Sequence, residues 1–282
     1  MTAVAPNDFT HLHVHSEFSL LDGLARIDDL VGEASASGFD SLALTDHGAL
    51  YGAVAFYQAC RAREIKPIIG VETYVARRSM GDREGKADAQ PFHLVLLARD
   101  WTGYSNLCRL VTDAHLDGYY YKPRIDRDHL ARHSAGLIGL SACLNGEIPR
   151  ALEAEDWDLA QRLAGEYGEI FGPGNFYLEV QDHGLPEQRR LNEQLQRLAP
   201  RVGLSLVATN DLHYVHQAQS EAHDVLLCIG TASNLDTPNR LKFETPEFYL
   251  KSAAEMALRL GELPDALANT RRIAEMCDVR LP

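Results

Sequence analysis

Short apolar runs alternate with longer amphipathic stretches from residue 10 to about residue 213. The runs at 10–15, 41–45, 67–74, 92–98, 137–140, 176–180 and 204–208 have the length and aliphatic content of strands. Between them, residues 27–37, 49–63, 101–116, 157–167 and 186–198 place apolar side chains near helical spacing. Gly38 after the first of these stretches and Pro186 at the start of the last supply ordinary stop and start signals. Such alternation predicts a parallel sheet with crossover helices, in an α/β fold. About seven units in roughly 210 residues fit a closed barrel, which needs no edge strands, better than an open doubly wound sheet. Periodicity alone leaves the open sheet as an alternative.

Residues 77–90, RRSMGDREGKADAQ, are polar, charged and aperiodic, which predicts a mobile surface loop. After residue 215 the alternation stops; 218–229 and 264–276 are expected to be helical and 234–247 irregular. The expected organisation is therefore a barrel core over 1–215 and a helical extension over 216–282. That extension would complete the domain and lead into further chain, since 279–282 end without capping logic.

Composition narrows the function classes. With 45% hydrophobic and 24% charged residues, the 282-residue chain has the profile of a soluble globular protein. It contains no apolar run of membrane-spanning length, so no membrane partner is expected. The start, MTAVAPNDFT, lacks the features of a secretion signal, and five scattered cysteines form no CxxC pair. Both point to a reducing compartment, by default the cytoplasm. The net charge of −13 counts against a surface built to grip duplex DNA. It does not exclude a pocket in which bound cations recruit a phosphate.

Twelve histidines change the picture, because several fall where strand patterns end. His13 and His15 are two apart on a strand and so face the same side. Asp22 follows in a Gly-terminated turn, where a turn carboxylate is the plainer explanation. The run ALTDHG ends a strand in Asp46 and His47; His47 is a candidate ligand, and Asp46 either orients an imidazole or caps a helix. Glu72 closes the apolar run IIGVE, where a buried carboxylate needs a partner, either a metal it could bridge or an arginine such as Arg77. His93 opens the run FHLVLL and alone could be a hydrogen-bonded core residue; Cys143 follows LSA and alone could be a buried thiol. Asp211 and His213 repeat the two-apart spacing late in the chain, and in a closed barrel they would face His13 and His15 across the seam. Potential ligands gathered at successive strand ends predict a polynuclear metal site. The mixed nitrogen, oxygen and sulfur donors suit zinc and leave manganese or iron open.

The segments HLHVHSEFSLLDG, ALTDHGAL, IIGVETYV, FHLVLLA, LSACLNGEI and NDLHYV resemble the PHP (polymerase and histidinol phosphatase) family. They are particularly similar to the PHP domain of the bacterial DNA polymerase III α subunit of the DnaE type, over essentially the whole chain. The resemblance implies a distorted (β/α)7 barrel binding up to three divalent ions at the C-terminal face of its strands. Matched motif by motif, it implies His13, His15, Asp22, His47, Glu72, His93, Cys143, Asp211 and His213 as the ligands. It further implies a metal-dependent 3′→5′ exonuclease acting on the 3′ end of single-stranded or mismatched DNA, with Glu72 and Asp211 central to the chemistry. The remainder of a polymerase chain and other replisome subunits would be partners, and polymerase chemistry itself would lie outside this segment. Stand-alone phosphatases of the family usually have Asp at the position of His11, and commonly His at those of Asp22 and Cys143. Those departures disfavour a small-molecule phosphomonoesterase, which stays a rival along with a purely structural metal platform. His183 is a candidate phosphate contact or proton donor, with a plain loop residue as its alternative. His115, His129, His133, His216 and His223 are given no role.

Overall fold

The computed structural model describes residues 5–281. Seven strands form one curled sheet: β1 (Ser41–Leu44), β2 (Lys66–Val75), β3 (Phe92–Ala98), β4 (Arg124–Ile125), β5 (Leu137–Leu140), β6 (Phe176–Val180) and β7 (Ser205–Ala208). They are ordered β1-β2-β3-β5-β6-β7, with the short β4 pairing beside the end of β2. The expected strand at 10–15 forms no regular ladder, yet it fills the seam between the first and last strands. On one side, Ala43 N donates to His11 O (2.9 Å) and Thr45 N to Val14 O (2.8 Å). On the other, His15 N donates to Leu212 O (2.8 Å) and Leu212 N to His13 O (3.1 Å). The result is a distorted (β/α)7 barrel.

One feature departs from the all-parallel expectation: β3 runs antiparallel to both β2 and β5. A parallel return needs a crossover helix that covers a sheet face. The chain between Val75 and Phe92 offers only the polar turn of helix Gly85–Ala89, so it doubles back at the same rim. This segment, expected to be mobile, is tied down internally. Arg78 pairs with Asp88 (2.6 Å), and the fully buried Arg124 donates to the carbonyls of Met80 (3.1 Å), Asp82 (2.8 Å) and Asp88 (3.0 Å).

Alternate strand positions fill the barrel. Leu12, Ala43, Ile68, Val95, Ile138 and Val207 point inward as one fully buried cluster. The intervening residues pack under the helical shell. Each such Leu or Ile side chain contributes about 1.5–3 kcal/mol on burial. At the end where the strands begin, Ile273, Ala274 and Cys277 join the inner cluster as helix Pro264–Met276 and the turn after it plug the barrel. Lys66 Nζ donates to Ala274 O (2.6 Å), and Arg271 Nη1 to Ser41 Oγ (2.7 Å), fixing that plug. The other end is left to the histidines. Among the described residues no helix is long and apolar enough to cross a membrane.

Candidate metal centre

The reversed direction of β3 explains how a residue at the start of one strand joins residues at the ends of others. Glu72 lies late on β2, and antiparallel pairing sets Tyr74 opposite His93, so His93 enters at the same rim. His47 follows β1 and bridges to Glu72; Cys143 follows β5; Asp211 and His213 follow β7. Two residues there adopt left-handed backbone, Ala142 (φ 61°) and Asp211 (φ 45°). Such strain costs about 1–3 kcal/mol in a residue with a side chain and persists where surrounding contacts hold it. Here it turns Asp211 back toward the seam.

All nine expected ligands converge. His13 Nε2 lies 3.2 Å from Asp211 Oδ1 and 3.4 Å from Glu72 Oε1; His15 Nε2 lies 3.3 Å and 3.5 Å from the same two carboxylates. His47 contacts Glu72 Oε2 through Nδ1 (2.6 Å) and Asp22 Oδ2 through Nε2 (3.2 Å). His93 Nδ1 is 2.9 Å from Glu72 Oε1, and the Cys143 sulfur is 3.9 Å from His93 and 4.0 Å from Glu72. His213 stacks on His15 with ring centroids 4.4 Å apart. Three overlapping triads have ligand atoms spaced for a cation: His13–His15–Asp211, His15–His47–His213 and His47–Glu72–His93.

The imidazoles are aimed by residues that the sequence did not single out. Glu179, buried on β6, accepts from His13 Nδ1 (2.6 Å) and is itself held by Gln181 Nε2 (2.9 Å) and the Thr209 hydroxyl. Ser19 donates to Asp46 (2.9 Å), so its oxygen accepts from His15 Nδ1 (3.0 Å) and from His47 N (3.1 Å). Asp46 also accepts from Ser16 N (2.6 Å) and Ser16 Oγ (2.8 Å). It thus acts on His15 through Ser19 and caps no helix, the next one beginning at Ala53. His213 Nδ1 donates to the Asp211 carbonyl (2.8 Å). With Nδ1 protonated in all three rings, their Nε2 lone pairs are free to bind a cation. The signal for Glu179 was present: like Glu72, it is a carboxylate inside an apolar strand run, FYLEV.

Electrostatics and unmet hydrogen bonds fit bound cations. His13 Nε2 and His15 Nε2 face each other at 3.1 Å, a contact that needs positive charge between them, either a proton on His13 or a bound cation. Four buried atoms of this rim, Asp22 Oδ1, His47 Nδ1, Glu72 Oε2 and Asp211 Oδ1, make no well-aligned hydrogen bond, although His47 Nδ1 lies 2.6 Å from Glu72 Oε2 and Asp211 Oδ1 lies 3.2 Å from His13 Nε2. Burying carboxylate charge against neutral imidazoles is costly, and a multivalent cation would remove that cost. Burial alone would lower the His13 pKa, but Asp211, Glu179 and Glu72 hold it well above the usual value. Burial and the neighbouring His47 lower that of His15, whereas burial and then His15 bring His213 down to about 4. For Glu72, burial is outweighed by His93, His47 and His13, which hold its carboxyl well below the usual range. The Cys143 thiol is pushed far up by burial and then by Glu72 and Asp211, so its thiolate forms only with a cation beside it.

His183 stands apart and does not fit a role as phosphate contact or proton donor. It is fully buried and stacked on Phe248 with centroids 3.8 Å apart. Gln188 donates to its Nδ1 (2.7 Å) and its Nε2 donates to Asn210 O (2.6 Å), which leaves no ring nitrogen for substrate. It braces the carbonyl that precedes Asp211. A further grouping, Asp113, His129 and His133, lies on the helical shell, and there Arg109 already pairs with Asp113 (2.8 Å).

Residues 11–183 match the family described as PHP domain. The chain belongs to the PHP family. This PHP chain is 48% identical over 280 residues to DNA polymerase III subunit alpha of Treponema pallidum, covering 99% of itself and 24% of that protein. It is 48% identical over 281 residues to DNA polymerase III subunit alpha of Thermus aquaticus, covering 97% of itself and 23% of that protein. The chain spans about a quarter of the length of these curated relatives. Among solved structures, it is similar to a two-domain protein from Bacteroides vulgatus described as containing a predicted PHP-like metal-dependent phosphoesterase. That match has a TM-score of 0.46 and 16% identity, over 93% of this chain and 63% of that one. An amidohydrolase from Chromobacterium violaceum matches with a TM-score of 0.45 and 18% identity, over 73% of this chain and 87% of that one. Likenesses this distant assign no chemistry to the PHP chain.

Proposed function

We propose that this chain is a metal-dependent phosphodiester hydrolase, a 3′→5′ exonuclease acting on the 3′ end of single-stranded or mismatched DNA within a DNA polymerase III α subunit. The observation that supports it most is the convergence of nine ligand-type side chains around the buried carboxylates of Glu72 and Asp211, with three triads spaced for a cation. His13, His15, Asp22, His47, Glu72, His93, Cys143, Asp211 and His213 would hold up to three divalent ions. Imidazole, carboxylate and thiol donors suit zinc, with manganese or iron as alternatives. When bound, such ions polarise a phosphoryl oxygen and make hydroxide available near neutral pH. The chain's own residues do the rest. Glu72 turns one oxygen toward His13 and His93 and the other toward His15 and His47, the geometry of a bridging ligand. By accepting from the Nδ1 atoms, Glu179 and Ser19 turn the Nε2 atoms of His13 and His15 toward the rim, and Asp211 Oδ1 lies 3.2 and 3.3 Å from those two nitrogens. The rest of the polymerase chain and other replisome subunits are the proposed partners, and the bacterial cytoplasm the proposed location.

A second reading, in which the cations only hold the barrel together as a platform, is favoured by one observation: the side chains of His13 and His15 are 0% exposed. The rim is nevertheless open at Asp22 (21%), His93 (17%) and His47 (15%), where a phosphate can approach. The deciding experiment pairs elemental analysis with cleavage of a 5′-labelled single-stranded oligonucleotide by the zinc- and manganese-loaded chain. Stepwise shortening from the 3′ end, lost on chelation and in Asp211→Asn, is expected. A fully loaded chain that cleaves no phosphate ester reduces the centre to a structural role, and preference for small monoesters selects a phosphomonoesterase.

A further inference from the structure

Two clefts leave the metal rim, one on each side of Tyr74. The Tyr74 ring stacks 5.9 Å from that of His47 and meets His93 edge-on at 5.2 Å, so it forms a wall between the two open imidazoles of one triad. Lys122 Nζ lies over the Tyr74 ring at 5.2 Å, and both residues line both clefts.

The clefts differ in chemistry. The first, about 240 Å³, runs from Asp22 and His47 to Tyr51, Tyr119 and Tyr121. Those tyrosines are 60%, 53% and 69% exposed, an unusual outlay of aromatic surface beside a polar centre. Their presentation is built in. Tyr121 adopts left-handed backbone (φ 59°), and the buried Arg124 donates to Gly118 O (3.0 Å) with its guanidinium 5.3 Å over the Tyr120 ring. The second cleft, about 340 Å³, runs from His93 past Asn145 to Arg77, Lys122 and Arg150, and no Asp or Glu lines it. Arg150 is paired with Glu153, but Arg77 and Lys122 have no carboxylate partner among the described residues. In a chain of net charge −13, two unpaired cations beside a phosphate-type centre are a local reversal of sign.

We infer that these clefts are the two subsites of a single-stranded DNA track. A nucleobase next to the scissile phosphate stacks among Tyr51, Tyr119 and Tyr121, and the neighbouring backbone phosphates lie against Arg77 and Lys122. The strand crosses the Tyr74 wall, so the smallest good substrate is a dinucleotide, and stacking without base-edge readout makes it indifferent to sequence. The track rests on the phosphodiesterase reading for its orientation to the metals, and binding tests it separately from cleavage.

The test is fluorescence anisotropy of the metal-loaded chain with a fluorescein-labelled, phosphorothioate-linked oligothymidylate of eight nucleotides, and with an abasic strand of equal length, across a salt series. Bis(p-nitrophenyl) phosphate reports cleavage by the parent chain. The double variant Tyr119→Ala/Tyr121→Ala is expected to weaken oligothymidylate binding about tenfold or more while leaving the abasic strand unchanged. Tyr119→Phe/Tyr121→Phe should retain parental affinity, because it keeps the ring faces. Arg77→Ala/Lys122→Ala is expected to weaken both strands and to flatten the log–log salt slope by about 1.4, for two lost phosphate contacts. The track is overturned if the alanine pair at the tyrosines binds within twofold of the parent or loses abasic affinity equally. An unchanged salt slope in the Arg77/Lys122 variant overturns it as well. A parent that cleaves the small diester without binding the oligonucleotide sinks the track and spares the hydrolase; binding with no ester cleavage does the reverse.

Discussion

Glu179→Gln removes a charge that touches no expected metal ligand except His13, and its effect can be worked out from contacts. Oε1 of Glu179 accepts from His13 Nδ1 at 2.6 Å, while Oε2 is buried without a partner. Glutamine can keep an acceptor facing His13, so the tautomer is preserved, but the charge that makes the imidazole a stronger donor is lost. Replacing such an orienting partner typically weakens a metal site by about ten- to a hundredfold, or roughly 1.4–2.7 kcal/mol. The new amide nitrogen would replace an oxygen that already has no partner, so stability of the chelated chain should fall by less than the roughly 1–3 kcal/mol that a newly orphaned buried group costs. The two effects separate experimentally. Competition with a chromogenic chelator reads affinity at unchanged stoichiometry, and denaturant unfolding of the chelated chain reads stability. Release of the most weakly held ion at ten- to a hundredfold lower chelator concentration is expected. Affinity within twofold of the parent would refute the claim that Glu179 prepares His13 as a ligand.

Ser19→Ala should free His15 to adopt either tautomer and loosen His47, weakening metal binding about tenfold by the same competition assay; unchanged affinity would assign Ser19 to the turn alone. His183 is held near pKa 4 by burial against an unfolded value of 6.5, so the unfolded chain takes up this proton first as pH falls. Its stabilisation is complete above pH 6.5 and is lost toward pH 4, about 2 kcal/mol between pH 7 and pH 5. Denaturant titrations of the chelated parent and His183→Gln should therefore show a shallower acid slope in the variant. Arg124→Met strips a buried donor from the carbonyls of Met80, Asp82, Asp88 and Gly118, with an expected loss of about 3 kcal/mol or more and faster proteolysis within residues 77–90. A loss below about 1 kcal/mol would mean that water replaces the guanidinium without penalty.

The converging rim residues were legible because metal chemistry restricts residue type, and strand ends restrict position. His13 and His15, two apart, and Glu72, at the end of an apolar run, carried that signal without any knowledge of contacts. Sheet direction was not legible: hydrophobic period is the same whichever way a strand runs, so antiparallel β3 needed the length and polarity of the preceding connection to be weighed. The two-residue β4 is too short to show a period at all. Glu179 escaped notice although the rule used for Glu72 applied to it, whereas Ser19 could not be found, since a serine in a turn has many uses. His183 misled because a histidine just past a strand looks alike whether its nitrogens face a cleft or, as here, a glutamine and a carbonyl.

The seam at residues 10–15 has a consequence for how the molecule comes into being. The same short stretch that joins the sheet's two margins also carries His13 and His15, whose counterparts Asp211 and His213 emerge from the ribosome some two hundred residues later. Until then, the nascent barrel is an unzipped sheet with two idle imidazoles. Convergence of the rim is thus a late, ring-closing event, and a chain cut short before Asp211 would have neither a finished wall nor a complete set of rim side chains.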